Sequence, residues 1–321
     1  MRGTLQLMGD YDIVVIGGSA GSIDVLVNQI APKLPADLDA AVFVVVHLPP
    51  RGKSYLAEIL SRPANLAVTQ ASEGDEIQHG RIYVAPPDRH LFIGKDHIHL
   101  LRSPKEGLHR PSINFTFRSA AQNHDSRVIG VVLSGALDDG ASGMWEIANR
   151  GGATIVQDPD DALHPSMPES ALRDTRIDYT LPATRIAEVV DNLVKGGAVP
   201  QQHVPTPGVP VPPGERFSGL TCPECRGPVY LSNQGRPAEF SCRVGHKFSL
   251  GALLDEHTSA QERKLYEAIV ALEEGADLAE YVSAHQPEQN REALTKEADQ
   301  LRQHAAAIRK MIEDREVPKL A

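Results

Sequence analysis

The sequence predicts an α/β protein: a doubly wound, mainly parallel sheet, then a small cysteine-bearing module and a C-terminal α-helical hairpin. Three observations predict it. Four short runs are apolar throughout rather than alternating, which marks strands covered on both faces. A Cys-x-x-Cys pair and a Cys/His pair sit close together beyond a proline-rich stretch. The last seventy residues carry apolar positions in 4-3-4 steps.

The elements follow in chain order. Asp12-Ile13-Val14-Val15-Ile16 is β-branched and ends in glycines, as a buried strand does. Val25, Leu26, Gln29 and Ile30 then recur at helical spacing. Ala41 to Val46, Val128 to Leu133 and Ala153 to Gln157 are three more buried strands. Ile82-Tyr83-Val84 and His97-Ile98-His99-Leu100 are expected to pair as an antiparallel excursion. Arg185 to Leu193 forms a closing helix, which ends a first domain over residues 1–195. Six prolines between Pro200 and Pro213 make 196–218 an extended linker. Residues 219–250 hold the cysteines. In 251–321, Leu265, Ile269, Leu272 and Ala276 precede a break at Gln286-Pro287. Leu294, Ala298, Leu301, Ala305, Ile308 and Ile312 follow it. Two helices folding back on one seam fit this best, and a role for them in partner binding or self-association is the lesser alternative.

Composition narrows the function. The 321 residues carry 32 Lys plus Arg against 42 Asp plus Glu, a formal net charge of −10, which argues against a general nucleic-acid binder. The longest dense apolar stretch, Ala40 to Val46, is too short to span a membrane. The first ten residues lack the apolar core of a secretory signal, so a cytoplasmic location is expected and the three cysteines are not expected to form disulfides.

Gly17-Gly18-Ser19-Ala20-Gly21 follows the first strand and opens the first helix. A dinucleotide fingerprint needs Gly-x-Gly-x-x-Gly, and Ser19 or Ala20 occupies its second glycine in either register. Gly-x-Ser-x-Gly, a nucleophile on a strand-to-helix turn, does fit. Taken alone, the motif could equally be a glycine-rich turn with a solvated serine. His47 could be a loop residue and Asp139 part of an Asp-Gly turn. But all three fall at carboxyl ends of predicted strands, the edge where open parallel sheets bind ligands. A hydroxyl, an imidazole and a carboxylate meeting there are what acyl transfer requires. The order Ser, His, Asp, with the serine after the first strand, sets the chain apart from the α/β-hydrolases, which run Ser, Asp, His.

Six segments in order resemble the catalytic domain of the bacterial chemotaxis protein-glutamate methylesterases. They are Val15 to Gly21, Val46 to Pro50, Tyr83 to His90, His109 to Ser112, Asp139 to Met144 and Ser166 to Pro168. The resemblance implies a Rossmann-like domain with a triad on Ser19, His47 and Asp139, and no catalytic cofactor. It also implies hydrolysis of glutamate methyl esters on chemoreceptors, releasing methanol, and in some members glutamine deamidation. Arg110 and Met167 could line the groove by this analogy or could simply pack. Three departures stand out. Only ten residues precede the first strand, so the receiver domain of the standard pathway is not expected. The Gly-Met-Gly before the aspartate reads Gly135-Ala136-Leu137, which changes the wall beside a backbone oxyanion donor at Ala136. Ala20 replaces the threonine after the nucleophile.

Cys222 and Cys225, then Cys242 and His246, have the spacing of a four-ligand zinc ribbon. Four protein ligands would leave the ion structural. Three free buried cysteines are the plainer alternative. Two further functions compete with the esterase: a signalling or scaffold module that keeps the fold without turnover, and a hydrolase of the same mechanism acting on another ester or amide.

Overall fold

In the computed structural model, which describes residues 11–49, 54–197, 216–232, 237–285 and 288–315, the first strand β1 (Ile13–Gly18) lies at the centre of a seven-stranded sheet. Its side chains alternate between two cores. Val14 and Ile16 pack into one, Ile13 and Val15 into the other, which is why the run is apolar throughout. Burying each such side chain contributes roughly 1.5–3 kcal/mol.

The remaining sheet strands are β2 (Ala41–Val46), β3 (Ala67–Gln70), β4 (Arg81–Val84), β7 (Val128–Val132), β8 (Ala153–Gln157) and β9 (Tyr179–Leu181). Their order is β3-β4-β2-β1-β7-β8-β9, and every adjacent pair is parallel. The chain winds outward from β1 on one side and returns to its other side at β7. The strand order reverses between β1 and β7, and open parallel sheets bind ligands at the carboxyl ends of such a switch. Gly18 lies beside Val46 and Gly17 beside Val132, so Ser19, His47 and the loop after β7 leave the sheet at one edge.

Helix α1 (Ser22–Val25) continues into a π-helical turn over Leu26–Ile30. That segment, α2 (Leu56–Ser61) and α6 (Ala183–Val194) cover one face through Leu26, Ile30, Leu60, Ile186 and Val190. Helices α3 (Ile113–His124), α4 (Ala141–Asn149) and α5 (Ser166–Asp174) cover the other through Phe117, Met144, Ile147 and Met167.

Ile82-Tyr83-Val84 departs from expectation. These residues form β4 of the parallel sheet, and the antiparallel excursion pairs β5 (His90–Ile93) with β6 (Ile98–Leu101). Ile82, Tyr83 and Val84 are all buried, as an inner strand requires, but four residues are too few to show it by pattern. Strands β3 and β9 escaped the sequence reading because each lies at a sheet edge and has no fully buried residue.

The first compact unit continues through Leu253 and the second begins at Leu254. The cysteine module lies in the first, as a four-stranded sheet of β10 (Arg216–Thr221), β11 (Pro228–Ser232), β12 (Glu239–Cys242) and β13 (Lys247–Phe248). Strand β10 starts slightly before the boundary drawn at 219, and most of the proline-rich linker lies outside the described residues. Helix α7 (Leu250–Ala284) leads into the second unit, where it pairs antiparallel with α8 (Glu288–Glu313). Ala276, Ala279 and Ala298 close the seam with Leu301, while Arg302 reaches Asp277 and Arg309 reaches Glu273. Among the described residues, no helix is long and apolar enough to cross a membrane.

Candidate active site

The turn after β1 is fixed by its backbone. Ser19 N–H donates to Ser134 C=O at 2.9 Å, and Ser22 N–H and Oγ both donate to Ser19 C=O at 3.1 and 2.7 Å. Gly21 takes φ 81°, the left-handed region that glycine enters without a Cβ penalty. Across the turn the loop after β7 approaches closely. A Cβ on Gly135 would lie 2.0 Å from Met167 Sδ and 2.9 Å from Ser19 Cβ. Gly135→Ala is therefore expected to displace Ser19 or Met167, costing roughly 1–3 kcal/mol of stability together with turnover. Urea unfolding and kcat measured on the same preparation check both effects.

His47 leaves β2 with its N–H donating to Gly18 C=O at 3.3 Å. Its Nε2 lies 2.8 Å from Asp139 Oδ2, and both side chains are buried. An acceptor-only carboxylate at this distance assigns the imidazole proton to Nε2. The other ring nitrogen, Nδ1, is buried and has no hydrogen-bond partner among the described residues. Its lone pair is therefore free to take a proton.

Asp139 sits at the N-terminus of α3 and accepts three more hydrogen bonds. Ile113 N–H donates at 2.8 Å, Asn114 N–H at 2.9 Å and Ser112 Oγ at 3.0 Å. Burial alone would raise its pKa. The hydrogen bond and positive charge from His47, with the α3 amides, outweigh it and hold the carboxyl down at about 2. Ser112 is also the N-cap of α3, and Asn114 Oδ1 accepts from Gly140 N–H at 3.0 Å and Gly143 N–H at 2.7 Å, locking the aspartate loop onto the helix. Ser112 lies within one of the segments that carry the resemblance, but its role is not legible from that motif. A serine directly before the helical run Ile113, Thr116, Phe117 is the N-cap signal that carries it.

His109 was missed as well. Its ring stacks on His47 with centroids 3.5 Å apart and planes 11° from parallel. Burial, and then the neighbouring His47 charge, push its pKa down to about 4. His109 is thus neutral when His47 must accept a proton. An unfolded histidine protonates near 6.5, above the folded value, so this group disfavours the fold as pH falls from about 6.5 towards 4. His109→Phe keeps a stacked ring and removes the proton. Its unfolding midpoint is expected to fall less than the parent's between pH 7 and pH 5, as chemical denaturation would show.

Arg110 donates through Nε to Asp88 and through Nη1 to Ser103 C=O, so it braces the loop. Met167 is 1% exposed beneath Gly135. In the altered segment, Leu137 takes φ 64°, the backbone a glycine would adopt without strain. Ala136 is exposed, and neither its N–H nor that of Ala20 is engaged within the chain among the described residues. Both amides flank Ser19 as candidate donors to a developing oxyanion.

The cysteine cluster is likewise assembled. Cys225 Sγ and Cys242 Sγ lie 3.6 Å apart, and His246 Nδ1 lies 3.5 Å from Cys242 Sγ and 3.8 Å from Cys222 Sγ. All four ligand atoms fall within 4.8 Å of one another. A tetrahedral Zn²⁺ with Zn–S near ~2.3 Å has ligand–ligand edges of roughly 3.5–3.8 Å, the range of these three separations. Burial pushes the Cys222 thiol up to about 12. Burial also raises Cys242, but hydrogen bonds with His246 outweigh it and bring that thiol down to about 6.

The catalytic domain has known relatives. The profile of the CheB methylesterase family matches residues 14–190. A Leptospira interrogans chain is 38% identical over 185 residues, covering 57% of this chain and 95% of that one. A Thermotoga maritima protein named protein-glutamate methylesterase/protein-glutamine glutaminase is 37% identical over 186 residues. That match covers 57% of this chain and 54% of the relative, so the chain spans about half of that relative's length. The crystal structure of the Thermotoga maritima CheB methylesterase catalytic domain superposes with a TM-score of 0.56 at 35% identity, covering 58% of this chain and all of that one.

Proposed function

The chain belongs to the CheB methylesterase family, and from that membership we propose that it is a serine hydrolase of protein-glutamate methyl esters, with methylated chemoreceptors as its substrates. The observation that carries this reading is the His47 imidazole. Asp139 holds its Nε2 proton, its buried Nδ1 has no partner among the described residues, and its backbone N–H donates to Gly18 C=O, the residue before Ser19.

In the proposed mechanism, His47 Nδ1 takes the proton of Ser19 Oγ as that oxygen attacks the ester carbonyl carbon. Negative charge develops on the carbonyl oxygen, where the unengaged Ala20 and Ala136 N–H groups can donate to it. Asp139 stabilises the imidazolium without taking its proton. His47 then protonates the departing methoxide, which leaves as methanol and a glutamyl-Ser19 ester. Water, deprotonated by the same imidazole, hydrolyses that ester and restores Ser19. A receptor glutamine can follow the same course with ammonia as the leaving group, in keeping with the double name of the relatives. No cofactor is needed for either course. The test is release of methanol from a methylated receptor by the purified protein, compared with Ser19→Ala. Equal release by both would sink the reading.

The same proposal assigns Cys222, Cys225, Cys242 and His246 to one structural Zn²⁺, supported by the donor set and its edges. The ion would crosslink the module's strands and supply no reacting group. A cytoplasmic setting, where thiols stay reduced, suits such a site. About one zinc per chain is expected by elemental analysis, lost when Cys222 and Cys225 are both replaced by Ser.

A further inference from the structure

The cysteine module is joined to the candidate active site by a continuous strip of backbone. Cys242 and His246 bracket a tight knuckle, closed by Cys242 N–H donating to His246 C=O at 3.0 Å. The next residue, Lys247, begins β13. It pairs in parallel with Glu106, Gly107 N–H donating to Lys247 C=O at 2.7 Å and Lys247 N–H to Lys105 C=O at 3.4 Å. Glu106 pairs in turn with His109, whose N–H donates to Glu106 C=O at 3.1 Å. His109 is the ring stacked on His47. One peptide bond and three contacts therefore lead from His246 to the His47 imidazole.

Side chains reinforce the strip. Leu108 packs against the module's core of Cys222, Val229, Cys242 and Phe248. Lys105 pairs with Glu224, between the first two cysteines, at 3.1 Å. Arg118 of α3, largely buried, binds both oxygens of Glu106 at 2.6 and 2.8 Å and lies 4.0 Å from Glu239 of β12. Ser249 hydrogen-bonds Asp138, the neighbour of Asp139. The catalytic domain holds this loop at its ends, through Pro104 C=O to His90 and through Arg110 to Asp88, and at Glu106 through Arg118. The module adds the backbone pairing and the apolar contact on either side of Glu106 and His109. A fold of under forty residues with so small a core depends on its metal for order.

We propose that metal binding at Cys222, Cys225, Cys242 and His246 controls the reactivity of Ser19. The loaded module supplies the strand that holds Glu106 to His109, His109 holds the plane of His47, and loss of the metal releases both. His109 is a positioning residue, and the ion acts through it at a distance. This inference rests on the hydrolase and zinc readings above, and its test separates all three.

The full-length protein is assayed for zinc content, for the rate at which a fluorophosphonate probe labels Ser19, and for kcat and KM on a methylated receptor. Removing zinc with a chelator is expected to slow labelling by at least roughly tenfold and to lower kcat more than it changes KM, with recovery when zinc is restored. Circular dichroism reports whether the catalytic domain stays folded. Leu108→Ala, which detaches the loop from the module's core, is expected to retain its zinc, label as slowly as the stripped parent, and respond no further to chelator. That variant decides the matter even if stripping unfolds the protein. Unchanged labelling in a folded, zinc-free parent, or fast labelling in zinc-loaded Leu108→Ala, would overturn the coupling and leave the hydrolase intact. Protein that neither contains nor binds zinc would overturn it through the metal reading. Zinc-loaded protein that never labels at Ser19 would overturn it through the hydrolase reading.

Discussion

Ser19→Ala is expected to lower kcat for methyl-ester hydrolysis by roughly 10⁴- to 10⁶-fold while leaving KM and stability almost unchanged. The activity loss is large because, in the proposed mechanism, the hydroxyl oxygen forms the bond to the carbonyl carbon, and no neighbour can replace it. Ala20 is a methyl group, and the buried Ser134 Oγ is committed to Ala20 C=O at 2.8 Å. Stability is spared because Ser19 Oγ makes no hydrogen bond within the chain among the described residues, so truncation leaves no partner unsatisfied. The turn is held by the Ser19 backbone, which alanine keeps. The unfolding midpoint should move by no more than about 0.5 kcal/mol. Progress curves on a methylated receptor and urea titrations of both proteins check the two halves. A residual rate within a factor of about 100 of the parent would remove Ser19 from the nucleophile's role.

How much of this was legible in the sequence depends on the range over which each signal acts. The central strands β1, β2, β7 and β8 were legible because burial on both faces makes them continuously apolar. Their edge partners β3 and β9 were not, because pairing at a sheet edge needs no core residue. Ser19, His47 and Asp139 stand out because each follows a readable strand. The structure brings His47 and Asp139 into contact across 92 residues. The supporting groups were hidden for a different reason. His109 reaches His47 only through a loop that pairs with β13, more than a hundred residues later, and nothing local in His109-Arg110-Pro111-Ser112 encodes that. The cysteine spacing told that Cys222, Cys225, Cys242 and His246 would meet. That the module lends a strand to the loop beside the imidazole was not in the spacing.

Asp139→Asn is expected to cost both functions at once, in contrast to Ser19→Ala. Every partner of the carboxylate is a donor: His47 Nε2 and Ile113 N–H at Oδ2, Asn114 N–H and Ser112 Oγ at Oδ1. An amide has one oxygen and one NH₂, so one orientation sets the NH₂ against Asn114 N–H and the other against Ile113 N–H. A buried backbone donor is orphaned either way, at a cost of about 1–3 kcal/mol. If the NH₂ takes the Oδ2 side, His47 must turn Nε2 into an acceptor and move its proton to Nδ1, where the base is needed. A loss of roughly 10⁴-fold in kcat follows from that tautomer. The pH dependence isolates the charge. The folded carboxyl titrates at about 2, below the usual 3.8. Its stabilisation is therefore complete above about pH 4 and is lost as pH falls towards 2, a contribution of about 2 kcal/mol. Urea midpoints should drop between pH 5 and pH 2.5 in the parent by more than in the variant, which has no proton to gain there. Equal acid sensitivity in the two proteins would mean that the charge at the α3 N-terminus stabilises nothing. Reduced Ser19 labelling with a matching acid profile would then assign Asp139 to the tautomer of His47 alone.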